Sequence, residues 1–389
     1  MSRPLVVRGR LDVAQDYVDV SLQDGQIRAV TPATAREDGP LVGDADCLLS
    51  EAFLDIQVNG FATVDFNRPE LTAADLRHAT EAMWHHGVTR FFPTVITAPI
   101  PAMQDTVRAI AEAREQDPVL AHAIPAIHLE GPFISPTDGP RGAHPVGAVR
   151  DPDWDLFCRL QESSSGLIRL VTLAPERPGA IELIRRLREA GITVAIGHTD
   201  ATEAHIDLAV EAGAQLSTHL GNGAHAVLPR HRNYIQKQLA TDAIMASVIA
   251  DGHHLPDYFI KNLIRCKGTD RVVLITDAMA AASAPPGNYQ VGEVLAEVGP
   301  DGYVRLPGTP YLAGSALTMD RAVENTARFA GLPLEETIRL ATRQPCRLFP
   351  DLGTGVAPGQ MADLVVLRAG PPLTVVATIA RGKVVYRRP

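Results

Sequence analysis

Eight short apolar runs, separated by amphipathic stretches, constrain the fold of this chain more than any other feature. They lie at 52–58, 88–96, 123–129, 168–173, 192–196, 214–218, 243–250 and 271–276. Several are almost uninterrupted, the pattern of parallel strands buried on both faces. Helix signals recur between them. Thr72-Ala73-Ala74-Asp75 opens one amphipathic stretch in capping style and Gly87 closes it; 181–190 ends at Gly191, and 202–212 ends at Gly213. Eight such alternations predict a (β/α)8 TIM-type barrel. A doubly wound open sheet is the structural alternative, but no GxGxxG stands at a strand-to-helix turn. Residues 281–312, punctuated by Pro and Gly, read as a hairpin-like insertion before a helix over 317–330.

The two ends of the chain are β-rich instead. Segments 17–22 and 26–31 flank Asp24-Gly25, a tight-hairpin dipeptide, and Arg381-Gly382-Lys383 turns between 375–379 and 384–386. We expect residues 1–50 and 355–389 to form one small β-sandwich domain and 51–354 the barrel.

Composition narrows the function classes. At 46% hydrophobic and 21% charged the chain can bury a large core. A net charge of −9 excludes a broad nucleic-acid surface. No apolar run approaches a membrane span, and the start, MSRPLVVRGRLDV, has no signal-peptide core. Cys47, Cys158, Cys266 and Cys346 form no CxxC pair and fit a reducing compartment. The expectation is a cytoplasmic protein with no nucleic-acid or membrane partner.

Barrel enzymes carry their chemistry where strands end. The first strand ends among Asp55, Gln57 and Asn59, and the third in His128-Leu129-Glu130-Gly131-Pro132. The fifth gives Gly197-His198-Thr199-Asp200, and the sixth Thr218-His219-Leu220. The last two give Asp251-Gly252-His253-His254 and Thr276-Asp277-Ala278. Glu130, His198 and His219 are the right side-chain types for a catalytic divalent site, where a bound metal would lower the pKa of its water to ~7. Asp277 could take the water's proton and return it to a leaving amine. These parts describe metal-assisted hydrolysis of an amide-like bond. Taken alone, a strand-end His is ordinarily a hydrogen-bonded structural residue. A strand-end Asp ordinarily caps a helix, as Asp200 with Thr199 would. Glu130 alone could be a satisfied buried carboxylate. Four such residues on one rim outweigh those readings. His78, His85, His86, His122 and His205 read as surface or packing residues, and His128 as a support behind Glu130.

The ordered motifs, from Asp55-Ile56-Gln57-Val58-Asn59-Gly60 to Leu312-Ala313-Gly314-Ser315, resemble the N-acetylglucosamine-6-phosphate deacetylase family of the amidohydrolase superfamily. The resemblance implies metal-dependent hydrolysis of the acetamide of N-acetylglucosamine 6-phosphate to glucosamine 6-phosphate and acetate. The alternative is deacylation of another N-acyl amino sugar or an N-acyl amino acid. Gln57-x-Asn59 stands where the superfamily commonly has His-x-His, which implies one strongly bound divalent metal per subunit, Zn first, with Fe, Co or Mn also suited. By resemblance, Glu130, His198 and His219 are ligands and Asp277 is the general base and acid. His144, in Arg141-Gly142-Ala143-His144, would steady the carbonyl oxygen as charge develops. Gln57 would orient the water. Asn222, the backbone near Gly223, Arg230 and His254 would hold the sugar phosphate, one contact crossing a homodimer. Ala313, Gly314 and Ser315 would line the sugar. The departure lies after His219, where the family usually shows an aromatic residue, Asn, Ala and Met. Here the run is Gly221-Asn222-Gly223-Ala224-His225. Gly223 can still offer an N–H to an anion. The role of His225 is open. The basic run Arg230-His231-Arg232 favours an anionic substrate group within an acidic protein.

Overall fold

The computed structural model describes residues 5–11, 16–33, 40–291, 294–305, 307, 312, 314–353 and 355–389. Eight strands build one all-parallel sheet in sequence order: Phe53–Val58, Val88–Ile96, Ile127–Glu130, Ile168–Leu173, Thr193–Ile196, Leu216–Ser217, Met245–Ile249 and Val272–Ile275. The first and last meet just beyond the eighth strand. Asp277 N–H donates to Gln57 O at 2.9 Å and Asn59 N–H to Ala278 O at 2.7 Å, closing the barrel at its C-terminal mouth. Every residue of Phe53–Val58 and Val272–Ile275 is buried; the last strand is apolar throughout, whereas Asp55 and Gln57 of the first are buried polar groups held by hydrogen bonds.

Local signals place the helices. Thr72 and Asp75 form a reciprocal capping box on Ala73–Trp84. Asp153 caps Trp154–Ser163, and Asn233 caps Tyr234–Ala240. Two expectations shift. Within the run 123–129 the strand begins only at Ile127, because Asp117 caps a short helix, Pro118–Ala123, with Pro at its first position. Asp200 caps nothing: Thr202 caps Glu203–Glu211, and the Asp200 N–H donates to Glu176 Oε1 at 2.7 Å. The 281–312 insertion carries three antiparallel strands, Gly287–Val291, Val294–Val298 and Val304–Arg305.

Both termini contribute to a second, eight-stranded sheet, in which Cys47–Glu51 pairs antiparallel with Leu364–Arg368. It curls back on itself, since Ile27 N–H donates to Gln360 O and Gly359 N–H to Ile27 O, both at 2.8 Å. The expected small β-sandwich is thus a single sheet wrapped around Val7, Val20, Leu49, Val366 and Ile379. Strand alternation joins it to the barrel: Leu48 and Val365 pack into the barrel core while Leu49 and Val366 fill the β-domain core.

The seam also holds a buried carboxylate. Asp363, with 0% exposure, accepts the Arg381 N–H at 2.8 Å and touches His122 Nε2 at 2.8 Å and Arg90 Nε at 3.4 Å. Burial alone would raise its pKa; His122 and Arg90 reverse this and hold it below the usual carboxylate value. Asp363→Ala should therefore cost about 3–5 kcal/mol in urea unfolding at neutral pH, because Arg90 is left buried without its counter-charge. The depressed pKa also sets the acid response. Its stabilisation is complete above the unfolded value of ~3.9 and is lost as pH falls through the folded one. Asp363→Asn should show a correspondingly flatter loss of stability over that acid range.

Candidate active site

At the barrel mouth a cavity of about 320 Å³ is lined by Asn59, Glu130, His144, His198, His219, Asn222, Gly223, His254, Asp277 and Gly314, among others. Three of these residues turn inward by an uncommon backbone route. His198, His219 and Asp277 each follow a strand with φ of 49°, 30° and 49°. The left-handed region is disfavoured for residues with a Cβ and costs of the order of 1–3 kcal/mol each. It breaks the strand pleat where each side chain must face the mouth.

Hydrogen bonds to the backbone assign the imidazoles. His198 Nδ1 lies 2.9 Å from Pro140 O, so it carries the proton and leaves Nε2 with its lone pair. That Nε2 lies 3.1 Å from Glu130 Oε1 and 3.1 Å from His219 Nε2, while His219 Nε2 lies 3.0 Å from Glu130 Oε1. Burial would raise the Glu130 pKa, but the two imidazoles reverse this and keep it well below its ordinary value. His219 Nδ1 is buried without a hydrogen-bond partner among the described residues. One ionised carboxylate and two imidazole nitrogens facing one point in a buried cavity are a donor set that a divalent ion fits.

His144 is the geometric alternative as a ligand, for one ligand atom each from Glu130, His144 and His198 lie within 4.8 Å of one another. Its hydrogen bonding argues for a different part. The Thr97 N–H donates to His144 Nδ1 at 3.3 Å, which uses the only lone pair of a neutral imidazole and puts the hydrogen on Nε2. Burial first, and the neighbouring His198 next, push its pKa down to about 3, so the ring is neutral. Its Nε2–H stands at the cavity wall, 3.3 Å from the His198 Nε2 lone pair.

Asp277 Oδ1 accepts from Asn59 Nδ2 at 2.7 Å and from Gln57 Nε2 at 3.1 Å; Gln57 Nε2 also lies 3.0 Å from Glu130 Oε1. Oδ2 keeps no hydrogen bond among the described residues. Burial, then the Glu130 charge, raises the Asp277 pKa. Behind it, Asp55 Oδ2 accepts the Thr276 hydroxyl at 2.5 Å, and burial pushes the Asp55 carboxyl up to about 7. His128 sits beneath the site, with Nε2 2.8 Å from Thr172 Oγ1 and its pKa pushed down by burial to about 4.

On the other wall, the Asn222 N–H donates to His219 O at 2.9 Å, and its Nδ2 is unpartnered among the described residues. His254 Nδ1 lies 2.6 Å from Asp251 Oδ2, which aligns its ring at the cavity edge. Not every expected residue arrives. Arg230 is exposed and outside the cavity lining. Ser315 lies beneath the wall, where Oγ accepts the Leu317 N–H at 3.0 Å. Ala313 falls outside the described residues. His225 bonds Tyr234 Oη through Nδ1 at 2.9 Å and lines a neighbouring cavity of about 580 Å³ with Asp200 and Arg232. Residue types could not reveal Pro140 O and Thr97 N–H, which are backbone groups. The Asn59–Asp277 bond joins residues whose positions at strand ends were the only available signal.

The amidohydrolase family model matches residues 37–385. The N-acetylglucosamine-6-phosphate deacetylase of Bacillus subtilis (strain 168) is 31% identical over 374 residues, covering 94% of this chain and 92% of its own length. The N-acetylgalactosamine-6-phosphate deacetylase of Escherichia coli O157:H7 is 32% identical over 374 residues, covering 95% and 94%. Among solved structures, a mutant N-acetyl-D-glucosamine-6-phosphate deacetylase from Mycobacterium smegmatis, in complex with N-acetyl-D-glucosamine-6-phosphate, aligns with a TM-score of 0.88. It shares 29% identity, over 99% of this chain and 100% of that one. The chain belongs to the amidohydrolase family.

Gly223 ties the loop to the donor set. At φ 55°, a Cβ on it would lie 2.8 Å from His198 Nδ1. Gly223→Ala should displace the His198 ring from Pro140 O and weaken divalent-metal binding by about 10–100-fold, measured by titration of the metal-free protein.

Proposed function

We propose that the chain hydrolyses the acetamide of N-acetylglucosamine 6-phosphate, releasing acetate and glucosamine 6-phosphate. The observation that carries this reading is the approach of Glu130 Oε1, His198 Nε2 and His219 Nε2 to 3.0–3.1 Å beside Asp277 and His144. The names of the relatives support the substrate class. In this reading 51–354 is the catalytic barrel, and 1–50 with 355–389 the small β-domain.

Glu130, His198 and His219 would hold one divalent ion per subunit, with zinc first and iron, cobalt or manganese also suited to two imidazoles and a carboxylate. When bound, such an ion supplies Lewis-acid polarisation of the carbonyl and makes water more acidic. The protein's own residues do the rest. Asp277 Oδ2 takes a proton from the attacking water, whose oxygen adds to the acetyl carbon. Gln57, expected to orient that water, would act on it through Asp277 and Glu130, to both of which its Nε2 donates. The His144 Nε2–H donates to the carbonyl oxygen as negative charge grows. Asp277 then gives its proton to the nitrogen as the C–N bond breaks. Asn222 Nδ2, the Gly223 N–H and His254 receive the phosphate, while Gly314 faces the sugar. Arg230, exposed on its own subunit, would reach a neighbour's substrate in a homodimer. The four free cysteines support a cytoplasmic setting.

A second reading has a specific observation behind it. Relatives from Escherichia coli O157:H7 and Shewanella sp. (strain ANA-3), 32% and 33% identical, are N-acetylgalactosamine-6-phosphate deacetylases. The two sugars differ only in the configuration of one hydroxyl. Acetate release should be measured from both 6-phosphates and from unphosphorylated N-acetylglucosamine, after bound metal is quantified. We expect N-acetylglucosamine 6-phosphate to be used best. Preference for the galacto sugar would shift the assignment, and equal rates without phosphate would remove the phosphate site. Asp277→Asn should keep the metal and lose on the order of 10³-fold in kcat. Unchanged turnover would end its acid–base role.

A further inference from the structure

Asn59 is engaged on one side only. Its Nδ2 donates to Asp277 Oδ1 at 2.7 Å, and the amide orientation is forced because an ionised carboxylate only accepts. The other amide atom, Oδ1, is buried with no hydrogen-bond partner among the described residues. The residue is 7% exposed and lines the cavity. Its backbone is pinned on both sides, with N–H donating to Ala278 O at 2.7 Å and C=O accepting from the Phe66 N–H at 2.9 Å. The side chain therefore has little freedom to find a partner elsewhere, and a buried acceptor left unpaired is costly.

An acetamide supplies the missing half. It brings one acceptor, its carbonyl oxygen, and one donor, its N–H. In the reading above, the acceptor is met by the His144 N–H, and nothing yet meets the donor. Asp277 cannot serve, because it must face the nitrogen lone pair that appears as the carbonyl carbon becomes tetrahedral. We infer that Asn59 Oδ1 accepts the substrate's amide N–H while its Nδ2 holds Asp277, so one side chain aligns the leaving nitrogen with the group that protonates it. Over the reaction, the water oxygen bonds to carbon and the C–N bond breaks. The proton taken by Asp277 ends on nitrogen, and the original N–H stays on Asn59 until the amine departs. A site built this way selects secondary amides over acyl groups that lack the N–H.

This inference rests on the deacetylase reading, and the test separates the two. Acetate release by wild type, Asn59→Ala and Asn59→Asp should be measured on the acetamido sugar phosphate and on its analogue with an O-acetyl ester replacing the amide. Asn59→Ala should lose about 10–100-fold more kcat/KM on the amide than on the ester. Asn59→Asp is isosteric and remains informative if the alanine variant does not fold. It keeps an acceptor but repels Asp277, so both rates should fall while the amide-to-ester ratio stays near that of wild type. Equal losses on the two substrates in Asn59→Ala, or a collapsed ratio in Asn59→Asp, would overturn the role of Asn59 alone. Absence of acetate release from the amide by wild type would overturn the deacetylase reading, and this inference with it.

Discussion

The buried charge of Glu130 is the constraint on which the rest of the structure depends. A carboxylate withdrawn from water is costly unless partners surround it. Here the carboxylate and its three partners come from four different strand ends: Gln57 from the first, Glu130 itself from the third, His198 from the fifth and His219 from the sixth. They meet only if the sheet closes, and the closing hydrogen bonds run through Gln57 O and Asn59 N–H. The side chains of those same two residues hold Asp277. Barrel closure and site assembly are therefore one event, and the left-handed backbone at His198, His219 and Asp277 is a local cost met by the surrounding hydrogen bonds.

Two histidines of identical chemistry are given opposite parts by backbone groups. A carbonyl at Pro140 takes the proton-bearing Nδ1 of His198 and turns a lone pair toward Glu130. An amide at Thr97 donates to Nδ1 of His144 and turns a hydrogen toward the cavity. Side-chain identity alone would let either ring be ligand or donor. The loop segments that carry Thr97 and Pro140 decide it.

This division explains what could be read from the residues and what could not. Parallel strands buried on both faces leave long apolar runs, and the polar residues that follow them are conspicuous, so the barrel and Glu130, His198, His219 and Asp277 were legible. Spacing is silent on the course of loops, so it could not foresee that Arg230 stands outside the cavity or that Ser315 turns beneath its wall. The helix at Pro118–Ala123 hid inside an apolar run because short helices and buried strands share composition. Hydrogen bonds between residues more than 200 positions apart, such as Asn59–Asp277, have no local sequence signature at all.

The loop after His219 shows how chemistry and specificity are kept apart. Gly223 lies so close to His198 that even a methyl group would strike the ring, so this position is bound to the donor set. From Ala224 onward the constraint relaxes. His225 is held by Tyr234 rather than by the site, and Arg232 with Asp200 lines the neighbouring cavity. Residues beyond 223 can therefore change the charge and shape met by a substrate's anionic end without moving an imidazole that faces Glu130. The departure of the 221–225 run from the usual family pattern falls across this boundary. It leaves Asn222 and Gly223 against the cavity and places the added His225 outside it.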